Sequence, residues 1–163
     1  LGVDYRMIGN SVNIVLGQRL VRVLCTHCKK EQQASERETA LIKKIIATHP
    51  KPPALQDPIQ IFVGVGCEKC NHTGFKGRQG VYEAIKVDQA VEEAIINDPR
   101  EHVILLSAQK QGIPSMAEDG IEKVLLGITS LGELERVVDL TSGRHTITPI
   151  DKKEDDAFLS HVV

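Results

Sequence analysis

Apolar residues recur along this chain in two rhythms, one of about 3.6 residues and one of two, and the rhythms predict different elements. Behind Ser11, the residues Val12, Leu16, Leu20, Val23 and Leu24 recur at helical spacing while Gln18, Arg19 and Arg22 fall on other faces. This predicts a capped helix that delivers the chain into Cys25. Ser35-Glu36-Arg37-Glu38 is a capping box, because the Ser hydroxyl can accept from the Glu38 amide while the Glu38 carboxylate reaches back. The helix it opens places Leu41, Ile42, Ile45 and Ile46 on one face and ends near His49, since Pro50, Pro52 and Pro53 cannot continue it. Residues 50–58 then form a stiff Pro-rich connection.

The rhythm changes after that connection. Ile59 to Val65 alternates and is rich in β-branched residues, which predicts a strand, and Gln79 to Val87 reads as its return. Helices follow. Asp88 caps the first, through Ile95 and Ile96; Asp98 before Pro99 opens the second, which carries Val103, Leu105 and Leu106 and stops at Gly112. Ser115 with Glu118 opens the next, over Ile121, Val124 and Leu125 to Gly127; Ser130 with Glu133 opens the last, over Leu134, Val137 and Val138. Three short helices joined by short loops are expected to make a compact antiparallel cluster. After Leu140 the pattern fails, and residues 141–163, with the charge run Asp151 to Asp156, read as a flexible tail. Leu1 to Asn10 has no initiator Met and starts abruptly, so a piece of a longer chain is expected.

The expected class is α+β: a small tetracysteine subdomain over residues 25–87, with short strands and a helical insertion at 35–49, followed by a helical subdomain over 88–140. A length of 163 residues with 41% hydrophobic residues suffices for one ordinary domain with appendages. Trp is absent and there are only three Phe and two Tyr, so the core must be built from Val, Ile, Leu and Ala. No run of 18 apolar residues occurs that could span a membrane.

All four cysteines lie in two C-x-x-C knuckles, Cys25-Thr26-His27-Cys28 and Cys67-Glu68-Lys69-Cys70. Each knuckle presents two thiolates on one side of a tight loop, and two facing loops make the tetrahedral sulfur cage that zinc prefers. A site closed by four cysteines leaves no position for substrate, so one structural zinc is expected at Cys25, Cys28, Cys67 and Cys70. Two disulfides would need an oxidising compartment, and no signal segment opens the chain; a redox-active pair normally occurs singly. Iron in a rubredoxin-like cage uses the same ligands, and spacing does not separate it from zinc. Residues 29 to 66 separate the knuckles, where a simple ribbon has about 15 to 20, so something folded must fill the gap.

The formal charge of −2, with four thiolates and one zinc ion added, becomes about −4 and gives no reason to expect a nucleic-acid partner. Arg19, Arg22, Lys29, Lys30, Lys69, Lys76 and Arg78 crowd the knuckles, and their expected role is to offset a dianionic metal centre in preference to binding phosphate. Reduced thiols and no signal segment point to the cytoplasm. Because metal ligation needs thiolates, acid or a chelator should loosen the knuckle region first.

The run Gln18-Arg19-Leu20-Val21-Arg22 into Cys25-x-x-Cys28, then Cys67-x-x-Cys70-x-x-Thr73-Gly74-Phe75-x-Gly77-Arg78-x-Gly80-Val81-Tyr82-Glu83, resembles the C-terminal part of the secretion ATPases of type II secretion and type IV pilus assembly. Ser115-Met116-x-Glu118-Asp119-Gly120 and Gly127-x-Thr129-Ser130-Leu131 to Arg136-Val137 extend the likeness over roughly residues 1 to 138. The resemblance implies the end of a RecA-like ATPase core and a connecting helix over residues 1–24. It also implies a homo-hexameric cytoplasmic motor whose partners are an upstream motor domain, neighbouring subunits and an inner-membrane platform protein. In the family the tetracysteine subdomain binds zinc, which carries onto the four cysteines named above.

No G-x-x-x-x-G-K-[ST] loop occurs in the chain, and in the family that loop and the magnesium-binding acids lie upstream. ATP and magnesium are therefore expected only in an intact parent, with no catalytic residue in this chain. Arg19 is a candidate to approach nucleotide in the assembled motor, against a plainer packing or ion-pairing role. Glu118 and Asp119 suggest an acid pair, but Glu118 already serves a cap. A stand-alone zinc-ribbon module that binds nucleic acid or a protein client is the alternative function, since Cys67-x-x-Cys70-x-x-Thr73-Gly74-x-x-Gly77 is similar to the glycine-spaced repeats of chaperone cofactors. Only one such repeat is present, and the stacking aromatics of single-strand binders are lacking.

Overall fold

A computed structural model describes residues 11–140; the expected continuation over Leu1–Asn10 and the expected tail over 141–163 lie outside the described residues. The described chain is a mixed α and β arrangement of short strands and helices. In order these are β1 (Ile14–Leu24), β2 (Lys29–Gln33), α1 (Glu36–Ile46), β3 (Gln60–Gly64), a 3-10 turn (Glu68–Cys70) and β4 (Phe75–Lys86). Four helices follow: α2 (Gln89–Asn97), α3 (Glu101–Gln109), α4 (Met116–Leu125) and α5 (Leu131–Val137). Two antiparallel ribbons form, β1 with β4 and β2 with β3.

The helix expected behind Ser11 is a strand instead. Residues Ile14–Leu24 pair with β4 from Ile14 opposite Lys86 to Arg22 opposite Arg78, then shift register before Leu24 meets Phe75. The helical spacing uses Val12, Leu16 and Leu20 but ignores Ile14, Val15 and Val21, which the same stretch also carries. Read with period two, the stretch alternates Ile14, Leu16 and Leu20 on one face with Val15 and Val21 on the other. Its β-branched residues favour the pleated surface, and a long complementary strand was available to settle the choice. Val21 and Val81 are fully buried on the inner face of this ribbon.

The strand expected at Ile59–Val65 appears as β3 but pairs with β2; the expected return strand begins earlier than Gln79, at Phe75, and pairs with β1 and not with β3. The helical insertion forms as α1, with the complete Ser35–Glu38 capping box, and ends at Ile46 with Ala47 as its C-cap. The Ser115–Glu118 box is likewise complete at the start of α4. Gly112 and Gly127 both adopt positive φ, 66° and 65°, where the helices before them end.

Two predicted starts differ. Asp98 closes α2, its amide donating to Ala94 O at 2.9 Å, and its carboxylate pairs with Arg100, so α3 begins at Glu101 with Arg100 as N-cap. At Ser130 only half of the box forms: Ser130 Oγ accepts from the Glu133 amide at 3.3 Å, while the Glu133 carboxylate turns toward two arginines.

The last four helices do not form one cluster. The principal helix contact of α3 is α2, whereas α4 packs on α1, α5, β3 and β4. One aliphatic cluster therefore draws Val21 from β1, Ile42 and Ile45 from α1, Ile61 from β3, Ile121 from α4 and Leu134 from α5. Burying a side chain of this size contributes about 1.5–3 kcal/mol. That core sets the frame on which the cysteine loops stand.

Candidate metal centre

The four cysteines converge at one end of the ribbons. The first knuckle lies in the turn between β1 and β2, and the second opens the 3-10 turn that leads to β4. In the first, the Cys28 and Lys29 amides both donate to Cys25 O, at 3.2 and 2.9 Å. In the second, the Cys70 and His72 amides donate to Cys67 O at 3.1 and 2.8 Å. Asn71 and His72 then take left-handed backbone with φ of 51° and 61°. Thr73 Oγ1 donates to Cys70 O at 2.6 Å and fastens the exit.

What brings the knuckles together is a crossing of backbones. The Cys25 amide donates to Gly74 O at 2.9 Å and the Val65 amide to Cys28 O at 3.3 Å, so each knuckle is tied to the flank of the other. At the crossing a Cβ on Gly64 would stand 2.3 Å from Gly74 O, and a Cβ on Gly74 would stand 2.7 Å from Gly64 O. Only glycine permits that approach.

All four Sγ atoms lie within 4.8 Å of one another. Cys25 to Cys67 is 3.9 Å, and both Cys28 to Cys70 and Cys67 to Cys70 are 3.8 Å. A tetrahedron with zinc–sulfur bonds of about 2.3 Å has edges of about 3.8 Å, so the donor set has the size a zinc ion needs. All four cysteines are free, and these separations are far from the roughly 2.05 Å of a disulfide. Cys25, Cys28 and Cys70 are buried, and Cys67 is intermediate. The arrangement can hold a metal ion.

The sulfurs are not equivalent. Burial pushes the Cys28 thiol up to about 12, outweighing a backbone hydrogen bond from Gly66. Burial also opposes ionisation of Cys70, but amide hydrogen bonds from Cys67 and Gly74, both 3.3 Å, and the neighbouring thiols bring it down to about 6. The amides of the second knuckle thus favour a thiolate where a cation would be bound.

The basic residues expected to offset this centre are partly engaged elsewhere. Arg22 lies 4.2 Å over the Phe75 ring and donates from Nε and Nη2 to Glu133 Oε2 at 2.9 and 2.6 Å. Lys29 Nζ donates to Gly127 O at 3.2 Å and lies 5.0 Å from the Phe62 ring. Arg19 is exposed on β1 opposite Val81, at a strand position and not at the end of a helix. Glu118 accepts from Ser115 and from Thr48 Oγ1 at 2.8 Å, and Asp119 accepts from the Tyr82 amide at 2.8 Å and from Lys123. These contacts make Glu118 and Asp119 structural ties between elements.

Glu133 is the residue that sequence reasoning placed wrongly. Its side chain is fully buried between Arg22 and Arg136, and the Arg22 amide also donates to it at 3.1 Å. Burial alone would raise its carboxyl, but the hydrogen bonds from Arg136 and Arg22 and the Arg22 charge hold it down at about 2. Thr129 Oγ1 adds a bond to Arg22 O at 2.8 Å, so the loop before α5 grips β1 just ahead of Cys25. The only hint in the sequence was an acid at a cap position with an Arg three residues on, which many helices share.

Residues 1–136 match the family described as Type II/IV secretion system protein. The "Type II secretion system protein E" of Aeromonas hydrophila is 37% identical over 137 residues, 84% of this chain and 25% of that protein. The "Type II secretion system ATPase E" of Vibrio cholerae is 36% identical over the same share of each chain. The "Type IV pilus assembly ATPase PilB" of Acinetobacter baylyi is 37% identical over 138 residues, 84% of this chain and 23% of that protein. The chain thus spans about a quarter of the length of these relatives.

Proposed function

Because the chain belongs to the Type II/IV secretion system protein family, we propose that it is the zinc-stabilised C-terminal part of an ATPase that powers type II secretion or type IV pilus assembly. In this reading the fragment completes a RecA-like motor: it carries structure and contact surfaces, while nucleotide turnover belongs to the upstream part. The parent is a cytoplasmic homo-hexamer held at the inner membrane through a platform protein. Among the described residues, no helix is long and apolar enough to cross a membrane, which accords with attachment through partners.

The observation that carries the proposal is the closed four-sulfur geometry within a stretch similar to secretion and pilus ATPases. Zinc bound by Cys25, Cys28, Cys67 and Cys70 would cross-link the two knuckles and contribute folding energy, with apparent values of about 10–16 kcal/mol in comparable sites. The residues around the sulfurs hold the loops: Gly64 and Gly74 allow the crossing, and amides at Cys67 and Gly74 favour the charged ligand at Cys70. Arg19, exposed on β1, is the candidate nucleotide contact in the assembled motor. The family match extends through residue 136 and so beyond the knuckles, which favours this reading over a stand-alone zinc ribbon.

Elemental analysis of the purified chain together with ATPase assays tests the proposal. One zinc per chain, no turnover by the fragment, and turnover by a longer chain that includes the upstream motor are expected. ATP hydrolysis by this chain alone, or a folded, reduced chain without metal, would contradict it.

A further inference from the structure

The four cysteines are not sheltered alike. Cys25, Cys28 and Cys70 are 1%, 7% and 6% exposed, whereas Cys67 is only partly buried. The difference follows from how the chain enters each knuckle. Cys25 directly follows β1, and its amide is tied to Gly74 O at 2.9 Å. Cys67 is reached through Val65, which is 55% exposed, and is followed by the exposed Glu68 and Lys69. The second knuckle therefore keeps Cys70 inside and leaves Cys67 at the rim, where a small dissolved reagent meets it first.

Two sulfurs stand within reach of Cys67: Cys70 at 3.8 Å and Cys25 at 3.9 Å. A disulfide needs them to close to about 2.05 Å, and the backbone decides which pair can do so. Cys67 and Cys70 bound one tight turn, closed by the Cys70 amide on Cys67 O at 3.1 Å. Such a turn holds its end Cα atoms less than about 7 Å apart, the span a disulfide bridges, so small side-chain rotations suffice. Cys25 belongs to the other knuckle. Drawing it onto Cys67 would press the knuckles together where a Cβ on Gly64 would already stand 2.3 Å from Gly74 O, so the backbones there have no room to close further. Cys25 and Cys28 bound a similar turn, but both are buried.

We infer that Cys67 and Cys70 form a thiol switch on the metal centre, in which a hydroperoxide oxidises the rim residue Cys67 and Cys70 closes a disulfide with it. As a thiolate, the form that ligation requires, the Cys67 sulfur attacks the peroxide: an S–O bond forms, the O–O bond breaks and hydroxide leaves. The Cys70 thiolate then attacks the Cys67 sulfur, so that the S–S bond forms, the S–O bond breaks and a second hydroxide leaves. The two cysteines lose two electrons and the peroxide gains them. Cys25 and Cys28 remain as donors, half of the four that structural zinc takes, so the cross-link between the knuckles is lost. The aliphatic core contains no cysteine and is left standing. The inference rests on the proposed zinc reading and adds the modification that would undo it.

Treating the zinc-loaded chain with hydrogen peroxide, alkylating the remaining thiols at intervals and mapping the cysteines by mass spectrometry tests the inference, with a chromogenic chelator reading released zinc in the same samples. The first disulfide should be Cys67–Cys70, one zinc should be freed for each one formed, and a dithiol with added zinc should reverse both. Cys67→His keeps four possible ligands but removes the thiol attacked first, and should slow peroxide-driven release by at least about 10-fold. The order of oxidation in the unsubstituted chain decides the matter even where that variant fails to bind zinc. A first disulfide between any other pair, release as fast in the variant, or zinc retained in excess peroxide overturns the switch and leaves the proposed function standing. A folded, reduced chain that takes up no zinc before peroxide is added sinks the zinc reading itself, and the switch with it.

Discussion

The cysteine end and the aliphatic core are held by different physics. Around Ile42, Ile61, Ile121 and Leu134 the chain buries apolar side chains from six elements, which stabilises the core without a ligand. Around Cys25, Cys28 and Cys70 the buried cluster contains only cysteine, with Cys67 packed against it. Short turns, two left-handed residues and a glycine crossing offer little surface to bury there. The contrast teaches that one end of the molecule folds by excluding water, while the other brings together four sulfurs that could hold a cation and buries little else.

Breaking the sulfur cage should separate the two regions most strongly. Chelation, or Cys70→Ser, is expected to release the ion and with it apparent binding energy of about 10–16 kcal/mol. Amides of residues 25–28 and 64–74 should lose exchange protection before those of α1 and α4 do. Simultaneous loss everywhere would show that the core cannot stand without the metal. Cutting into the core should do the reverse: Ile121→Ala, at a fully buried site, is expected to cost about 2–5 kcal/mol in denaturant unfolding. Bound zinc in the folded fraction should remain at one per chain.

Acid probes the tie between the two regions. The folded Glu133 carboxyl sits at about 2, below its ordinary value of 4.5. Its stabilising contribution is therefore complete above about pH 4.5 and is lost as pH falls toward 2, because the unfolded chain takes up the proton first. In metal-free protein, Glu133→Gln should flatten that part of the stability–pH profile; an unchanged slope would remove the Arg22–Glu133–Arg136 network as its source. The smallest effect belongs to a cap far from the sulfurs. Ser35→Ala removes the acceptor for the Glu38 amide and should cost about 0.5–2 kcal/mol, read as a lowered unfolding midpoint with metal content unchanged.

Much of the site was legible because its signals are local. Two C-x-x-C spacings announce paired sulfurs whatever surrounds them, and Ser35 with Glu38 and Ser115 with Glu118 satisfy helix amides within a single turn. Glu133 misled for the same reason, since its spacing from Ser130 fits a capping box but its carboxylate meets Arg22, 111 residues away. The stretch after Ser11 misled differently: its apolar residues are dense enough to fit two periods, and the pairing partner in β4 chose between them.

By itself the amino-acid sequence determined the two cysteine knuckles, the punctuation of α1 and α4, and the likeness to secretion ATPases, since each depends on residues a few positions apart or on identity in order. Tertiary structure alone decided that Ile14–Leu24 is a strand, that Gly64 and Gly74 cross in contact, that Arg22 and Arg136 surround Glu133, and that Asp119 and Gln111 finish the outer edge of β4. Those outcomes depend on pairings between distant segments, whose energies exist only once the segments have met.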